Sequence, residues 1–102
     1  MSEKIYTIDE IKAILNRVLQ NQPVYKVVLF GSYAKNEATK KSDIDLVIDT
    51  RKTLKGFNLI KLICLIQDAL NKEIDGFEEY EIVKDSKIDE EIKNTGVVVY
   101  ER

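Results

Sequence analysis

The sequence predicts an α/β (α+β) fold, a small mixed β-sheet flanked by helices, and three observations carry that prediction. Stretches with apolar residues at helical spacing alternate with short runs rich in β-branched and aromatic residues. The β-rich runs are bounded by glycines, charged connections or polar turns. No internal repeat, low-complexity tract or linker interrupts the 102 residues, so residues 1–102 are expected to form a single domain with one modest core.

Taken in order, Thr7 with Glu10 matches a capping box, in which each side chain satisfies an orphan donor at a helix start. Ile8, Ile11, Ile14, Leu15, Val18 and Leu19 then repeat on one helical face until Pro23 stops the helix. Tyr25 to Phe30 reads as a buried strand closed by Gly31, with a short helical turn from Ser32 to Glu37. Thr39 to Ser42 is a polar loop, Ile44 to Ile48 a second buried strand, and Arg51 to Lys55 a charged connection. Leu59, Leu62, Ile63, Ile66 and Leu70 mark the inward stripe of a long helix. Cys64 lies in that apolar run and is expected to be an inert core residue. Glu73 to Phe77 is a third, weaker strand, shortened or bulged by Gly76. Ser86 with Asp89 caps a short helix carrying Ile88 and Ile92, Gly96 ends it, and Val97 to Tyr100 is a closing strand.

Composition narrows the chemistry. The sequence contains no histidine, which removes His-based triads, the usual zinc sites and any histidine acid–base pair. An enzyme built from this chain must work with carboxylates, hydroxyls and metal. The single cysteine cannot close an internal disulfide, no apolar run approaches the ~20 residues of a membrane span, and the N-terminus lacks an apolar signal segment. A cytoplasmic location without membrane contact is therefore expected. The net charge of −2 argues against a general basic surface for nucleic acid, so no direct nucleic-acid partner is expected. Charge is nevertheless uneven. Tyr33 to Lys61 holds seven basic and four acidic residues, whereas Glu73 to Glu91 holds two basic and nine acidic ones. Most of these are expected to be solvated surface, with a basic lip near the glycine-serine turn and an acidic face suited to a basic partner.

Residues 31 to 45 carry the functional signal. A glycine at a strand-to-turn junction lets the backbone approach a ligand closely, and the turn after it exposes N–H groups beside the Ser32 hydroxyl. Gly31 and Ser32 are thus candidates for holding nucleotide phosphates, although a Gly-Ser pair alone is a common turn. Asp43 and Asp45 are more specific. In an extended strand they emerge on one face about 6–7 Å apart, while Ile44, Leu46 and Ile48 face the core. Paired carboxylates repel unless a cation lies between them, and Mg²⁺ suits a site of few carboxylates completed by water and phosphate oxygens. Asp75, after Ile74 in the third strand, is the best candidate for a third carboxylate, with Asp85 and Asp89 as poorer alternatives.

This constellation resembles the nucleotidyltransferase superfamily typified by DNA polymerase beta, whose motif is Gly-Ser, about ten residues, then Asp-x-Asp, with a later Asp on a following strand. Gly31-Ser32-Tyr33-Ala34, Ser42-Asp43-Ile44-Asp45-Leu46 and the closing segment Ile92 to Tyr100 carry the resemblance, which is closest to minimal nucleotidyltransferase (MNT) domains. It implies a polymerase beta-like fold and a Mg²⁺-dependent transfer in which a hydroxyl attacks the α-phosphorus of a nucleoside triphosphate and releases pyrophosphate. By that resemblance Gly31 and Ser32 bind the triphosphate, Asp43 and Asp45 ligate two Mg²⁺, and Asp75 contacts the metal nearer the attacking group and helps activate the hydroxyl. Three departures stand out, one being that Gly76 and Phe77 after Asp75 make a less apolar strand than is usual. Asn36 replaces a frequent glycine but tolerates a left-handed turn, and Tyr33 replaces a frequent arginine, removing a phosphate contact.

The resemblance also implies an acceptor. MNT domains resemble antitoxins that silence a HEPN-domain ribonuclease toxin by transferring AMP from ATP to a tyrosine, so a HEPN-type toxin is the expected partner. The competing expectations are a nucleotide-binding or contact-only antitoxin without catalysis, and transfer to a small molecule in a pocket completed by a homo-oligomer.

Overall fold

The computed structural model describes residues 4–102. Thr7 caps helix α1 (Ile8–Val18) through the reciprocal pair of bonds expected of a capping box, Glu10 N–H to Thr7 Oγ1 at 3.1 Å and Thr7 N–H to Glu10 Oε1 at 2.9 Å. Pro23 is not what ends α1. The helix stops at Val18, with Leu19 as C-cap, and the chain turns before the proline is reached.

Strands β1 (Lys26–Phe30), β2 (Ile44–Asp49), β3 (Ile74–Glu78) and β4 (Val97–Glu101) form one mixed sheet in the order β3-β2-β1-β4. β1 is antiparallel to both β2 and β4. β3 runs parallel to β2 because helix α2 (Phe57–Leu70) carries the chain back across the sheet between them. Helix α3 (Lys87–Thr95) leads into β4 and packs on β1. The sheet with its flanking helices is the architecture that the alternating periodicities predict.

The core lies between the sheet and helices α1 and α2. Val27 and Leu29 of β1, Ile44, Leu46 and Ile48 of β2, and Val99 of β4 meet Ile11 and Leu15 of α1 and Leu62, Ile66 and Leu70 of α2. Strand alternation then turns Lys26, Val28 and Phe30, Asp45, Val47 and Asp49, and Asp75 and Phe77 to the opposite face. α3 covers only part of that second face, and the candidate chemistry sits on it.

Two further sequence expectations fail. Cys64 is exposed, not a core residue. The inward stripe of α2 runs through Leu62, Ile66 and Leu70, and position 64 falls about 200° around the helix from position 62. Gly76 neither shortens nor bulges β3. The parallel register continues unbroken from Ile44↔Ile74 to Ile48↔Glu78. The glycine is there for space, since a Cβ at this position would stand 2.8 Å from Ile63 Cδ1 where α2 rests on the sheet. Other elements differ only at their ends. α2 starts two residues before Leu59 and ends at Asn71 in a left-handed conformation. Ser32 to Glu37 forms the expected short turn, closed with helical spacing by Lys35 N–H on the Gly31 carbonyl at 3.1 Å, and does not extend into a helix. Asn36 adopts φ of 59°, the left-handed conformation anticipated for it. Ser86 accepts from Asp89 N–H at 3.2 Å as the α3 cap.

Ile66→Ala and Cys64→Ser separate the two sides of α2. Ile66→Ala should cost about 2–5 kcal/mol in urea unfolding, whereas Cys64→Ser should stay within about 0.5 kcal/mol of the parent. A comparable loss at both positions would contradict the helix orientation.

Candidate active site

β2 is flanked by β1 on one side and β3 on the other, and the two registers align Phe30, Asp45 and Asp75 in one cross-strand row. Asp45 and Asp75 are directly opposed neighbours on the face away from the core. Asp75 is exposed and Asp45 half-buried, because the Gly31 turn closes over it. The ring of Phe30, at the β1 end of the row, lies 6.0 Å from that of Phe77, two residues along β3 from Asp75. Asp43 lies one residue before β2 and is exposed, so the two aspartates of the Asp-x-Asp pair do not share one strand; Asp43 stands on the loop leading into it.

Electrostatics follow from this crowding. The Asp45 carboxyl is pushed up from 3.8 to about 6, first by burial, then by the Asp75 carboxyl, which repels it and is close enough to share a proton, and further by Glu91 and Asp43. A carboxylate pair held this way lacks a positive charge. Among the described residues no three acidic side chains enclose an ion by themselves. The donor set therefore matches a cation that takes one or two carboxylates and fills its shell with water and phosphate oxygens, as Mg²⁺ does.

Gly31 follows β1 with φ of +74°. A Cβ there would lie 2.3 Å from Asp45 Oδ2, so only glycine lets the turn come down on this carboxylate. The Gly31 N–H is already engaged, donating to Thr95 Oγ1 at 3.2 Å. Among the described residues the amides of Ser32, Tyr33 and Ala34 and the Ser32 hydroxyl donate to no acceptor, so the free donors of the turn begin at Ser32. Tyr33 turns inward and is 3% exposed within the core cluster, so the position where arginine is frequent contributes packing instead of a phosphate contact.

Three residues at or near the site carried no signal in the sequence. Glu91 of α3 brings a fourth carboxylate, its Oε1 only 3.5 Å from the position of a Gly31 Cβ. Thr95 engages the glycine turn from 64 residues away. Lys72 is 2% exposed and donates to the Lys40 carbonyl at 2.9 Å, pinning the loop that ends at Asp43. That loop is further ordered by Thr39 N–H on Ser42 Oγ at 2.8 Å and Ser42 N–H on the Thr39 carbonyl at 3.1 Å. Helical periodicity places Glu91 at the edge of the Ile88–Ile92 stripe, about 60° around the helix from Ile88, but it does not say which face of the sheet α3 covers.

Not all of the nine acids between Glu73 and Glu91 are free surface carboxylates. Asp75 belongs to the carboxylate row, and Glu78 is buried against Thr50, whose N–H and hydroxyl donate to Glu78 Oε1 at 3.3 and 3.0 Å. Asp85 and Asp89 pair with Lys93 at 3.6 and 3.0 Å, which accounts for them as capping and surface residues. A cavity of about 260 Å³ opens on the same sheet face, at the end away from the row, between Lys26, Asp49, Glu79, Ile82 and Ile92. It includes neither Asp45 nor Asp75. Among the described residues no helix is long and apolar enough to cross a membrane.

Comparison with known proteins agrees with this geometry. The family model described as "Nucleotidyltransferase domain" matches residues 11–98. The chain is similar to "Putative protein adenylyltransferase MJ0126" of Methanocaldococcus jannaschii, 37% identical over 73 residues, 68% of this chain and 74% of the relative. It is also similar to "Putative protein adenylyltransferase MJ0128" of the same organism, 36% identical over the same shares of each chain. In fold it resembles a chain from the crystal structure of a toxin-antitoxin with AMP-PNP (TM-score 0.74, 18% identity, 89% of this chain and 73% of that chain). It likewise resembles a chain from the tri-AMPylated Shewanella oneidensis HEPN toxin in complex with MNT antitoxin (TM-score 0.69, 16% identity, 94% and 74%). At such identities these two structures speak to the fold alone. With the family model spanning both the Gly31 turn and the carboxylate row, the chain belongs to the nucleotidyltransferase domain family.

Proposed function

We propose that this protein is a Mg²⁺-dependent adenylyltransferase that moves AMP from ATP onto a hydroxyl of a partner protein, a tyrosine of a HEPN-type ribonuclease toxin, and thereby acts as its antitoxin. The observation that carries the reading is the opposed pair Asp45 and Asp75 beneath a glycine turn whose free donors start at Ser32. The names of the sequence relatives support adenylyl transfer to protein, and the toxin-antitoxin neighbours support the partner.

In this reading Asp43, Asp45 and Asp75 hold two Mg²⁺, which when bound supply positive charge for the attacking oxygen and the leaving phosphates. Ser32 and the amides after it bind the triphosphate, while Gly31 contributes the close approach of backbone to Asp45. The tyrosine oxygen forms a bond to the α-phosphorus as the bond from that phosphorus to the bridging oxygen breaks, and pyrophosphate leaves. The Asp75 carboxylate, the most exposed of the opposed pair, accepts the hydroxyl proton. Half-burial of Asp45 keeps water from the charge it carries and strengthens its interaction with a cation.

Transfer is tested with ATP labelled at the α-phosphate, Mg²⁺ and a lysate of the source organism. A labelled protein band with the native chain and none with Asp45→Asn is the expected result. Label on RNA or a small molecule would overturn the acceptor, and ATP binding without label would overturn catalysis. Asp75→Asn should lower the transfer rate by about 10²–10⁴-fold if it takes the proton.

The raised Asp45 pKa has a stability consequence in metal-free protein. Between pH 3.8 and about 6 the native state keeps a proton that the unfolded chain has released, so stability falls as pH rises through that window and the penalty is complete above it. Asp45→Asn should therefore raise the Tm of metal-free protein at neutral pH, and the gain should shrink as pH falls toward 3.8. Added Mg²⁺ should raise the Tm of the native chain at neutral pH and lose that effect below about pH 6. A Tm for Asp45→Asn at or below the parent's at neutral pH would contradict the crowded-carboxylate account.

A further inference from the structure

We propose that Thr95 is a positioning residue that sets the Gly31–Ser32 turn for the nucleotide phosphates, an inference that rests on the nucleotidyl-transfer reading of this site. Its hydroxyl bridges two backbones. The hydroxyl proton goes to the Glu91 carbonyl at 2.7 Å, which leaves an oxygen lone pair to accept the Gly31 N–H at 3.2 Å. With its one proton committed inside α3, the hydroxyl can serve Gly31 only as an acceptor, so the bond has one polarity.

The anchor is itself immobilised. Thr95 is the last residue of α3, and the Gly96 N–H that follows donates to the Ile92 carbonyl at 2.7 Å. A Cβ on Gly96 would lie 2.4 Å from the Ile92 carbonyl oxygen and 3.0 Å from Val28 Cγ1, so the end of α3 is pressed onto β1 as closely as a glycine allows. β1 is also the strand that ends at Phe30 and delivers Gly31. Thr95 therefore fixes the first amide of the turn relative to the strand from which the turn departs.

Gly31 needs such a restraint. It has no side chain to pack, and its φ of +74° is one of several conformations open to glycine. Its carbonyl is held by Lys35 N–H at 3.1 Å, but its N–H is held by Thr95. Rotation of this peptide would move the next amides, Ser32, Tyr33 and Ala34, relative to β1 and Asp45. The Thr95 bond thus fixes the last engaged amide before the free donors, without itself touching the nucleotide.

Thr95→Val keeps the shape and removes the hydroxyl, Thr95→Ala removes it with less bulk, and Thr95→Ser keeps it. The readouts are amide hydrogen exchange across residues 31–34 in the free protein and equilibrium affinity for ATP with Mg²⁺. The Val and Ala variants should exchange the Gly31 amide faster and bind ATP about tenfold more weakly, while the Ser variant matches the parent in both. Native-like ATP affinity in a folded Val or Ala variant would overturn the proposal. So would a Ser variant as impaired as the Val variant, which would assign the effect to methyl packing, or a parent with no affinity for ATP. A parent that binds ATP but transfers no AMP overturns the transferase reading alone, because the Thr95 comparison is read through affinity and exchange.

Discussion

The site depends on the register of the central strand β2. It is paired on both sides, antiparallel to β1 and parallel to β3, so its position along the sheet is constrained twice. Ile44, Leu46 and Ile48 are fully buried against α1 and α2, and a slip of one residue would exchange them for Asp45, Val47 and Asp49. Burying an ionised carboxylate without a partner costs several kcal/mol, and exposing three isoleucine or leucine side chains adds about 1.5–3 kcal/mol each. The hydrophobic core therefore selects the one register in which Asp45 faces outward opposite Asp75. The energy that folds the sheet also sets the spacing of the two carboxylates.

The same register imposes a strain that the fold must absorb. Opposed carboxylates repel, and burial together with the Asp75 carboxyl lifts Asp45 to about 6. Glycine at position 31 adds to the crowding, because the turn it permits covers Asp45 and takes water from it. The carboxylate row is thus a locally destabilised surface carried by a stable core, as expected where function, not stability, selects the residues. At the far end of the inner face, Glu78 shows a different treatment of a buried acid. One of its oxygens receives two donors from Thr50, and burial raises its proton affinity, so it can remain neutral inside the protein.

Helix α3 ties the site to the rest of the chain. Through Thr95 it holds the amide of Gly31, and through Glu91 it adds a negative charge beside Asp45. Its N-terminal end is secured by the Ser86 cap and the Lys93–Asp89 pair, and its C-terminal end by the fit of Gly96 against Val28. Because β4 continues directly from Gly96 and pairs with β1, the placement of α3 is fixed by backbone pairing as well as by side chains. The exposed Lys93–Asp89 pair adds little stability by itself; the glycine contact and the strand pairing hold the helix.

The sequence by itself determined the elements and the chemistry-bearing residues, because both are written in local pattern. Period-3.6 runs marked α1 and α2, the Thr7–Glu10 pair marked a cap, and Gly31-Ser32 followed by Asp43-Ile44-Asp45 marked the turn and its carboxylates. Local pattern misled where a residue's role depends on a neighbour distant in the chain. Gly76 looked like a weak point in a strand and is instead the space that Ile63 fills, and Cys64 looked buried because its neighbours in sequence are apolar. Only the tertiary structure decided that Asp75 stands opposite Asp45, that Glu91 joins them, and that Thr95 holds Gly31. These contacts join residues 30 to 64 positions apart, and nothing in local periodicity encodes which strand lies beside which or which face a helix covers. Sheet order and helix placement set those distances, and they follow from burying the whole core at once.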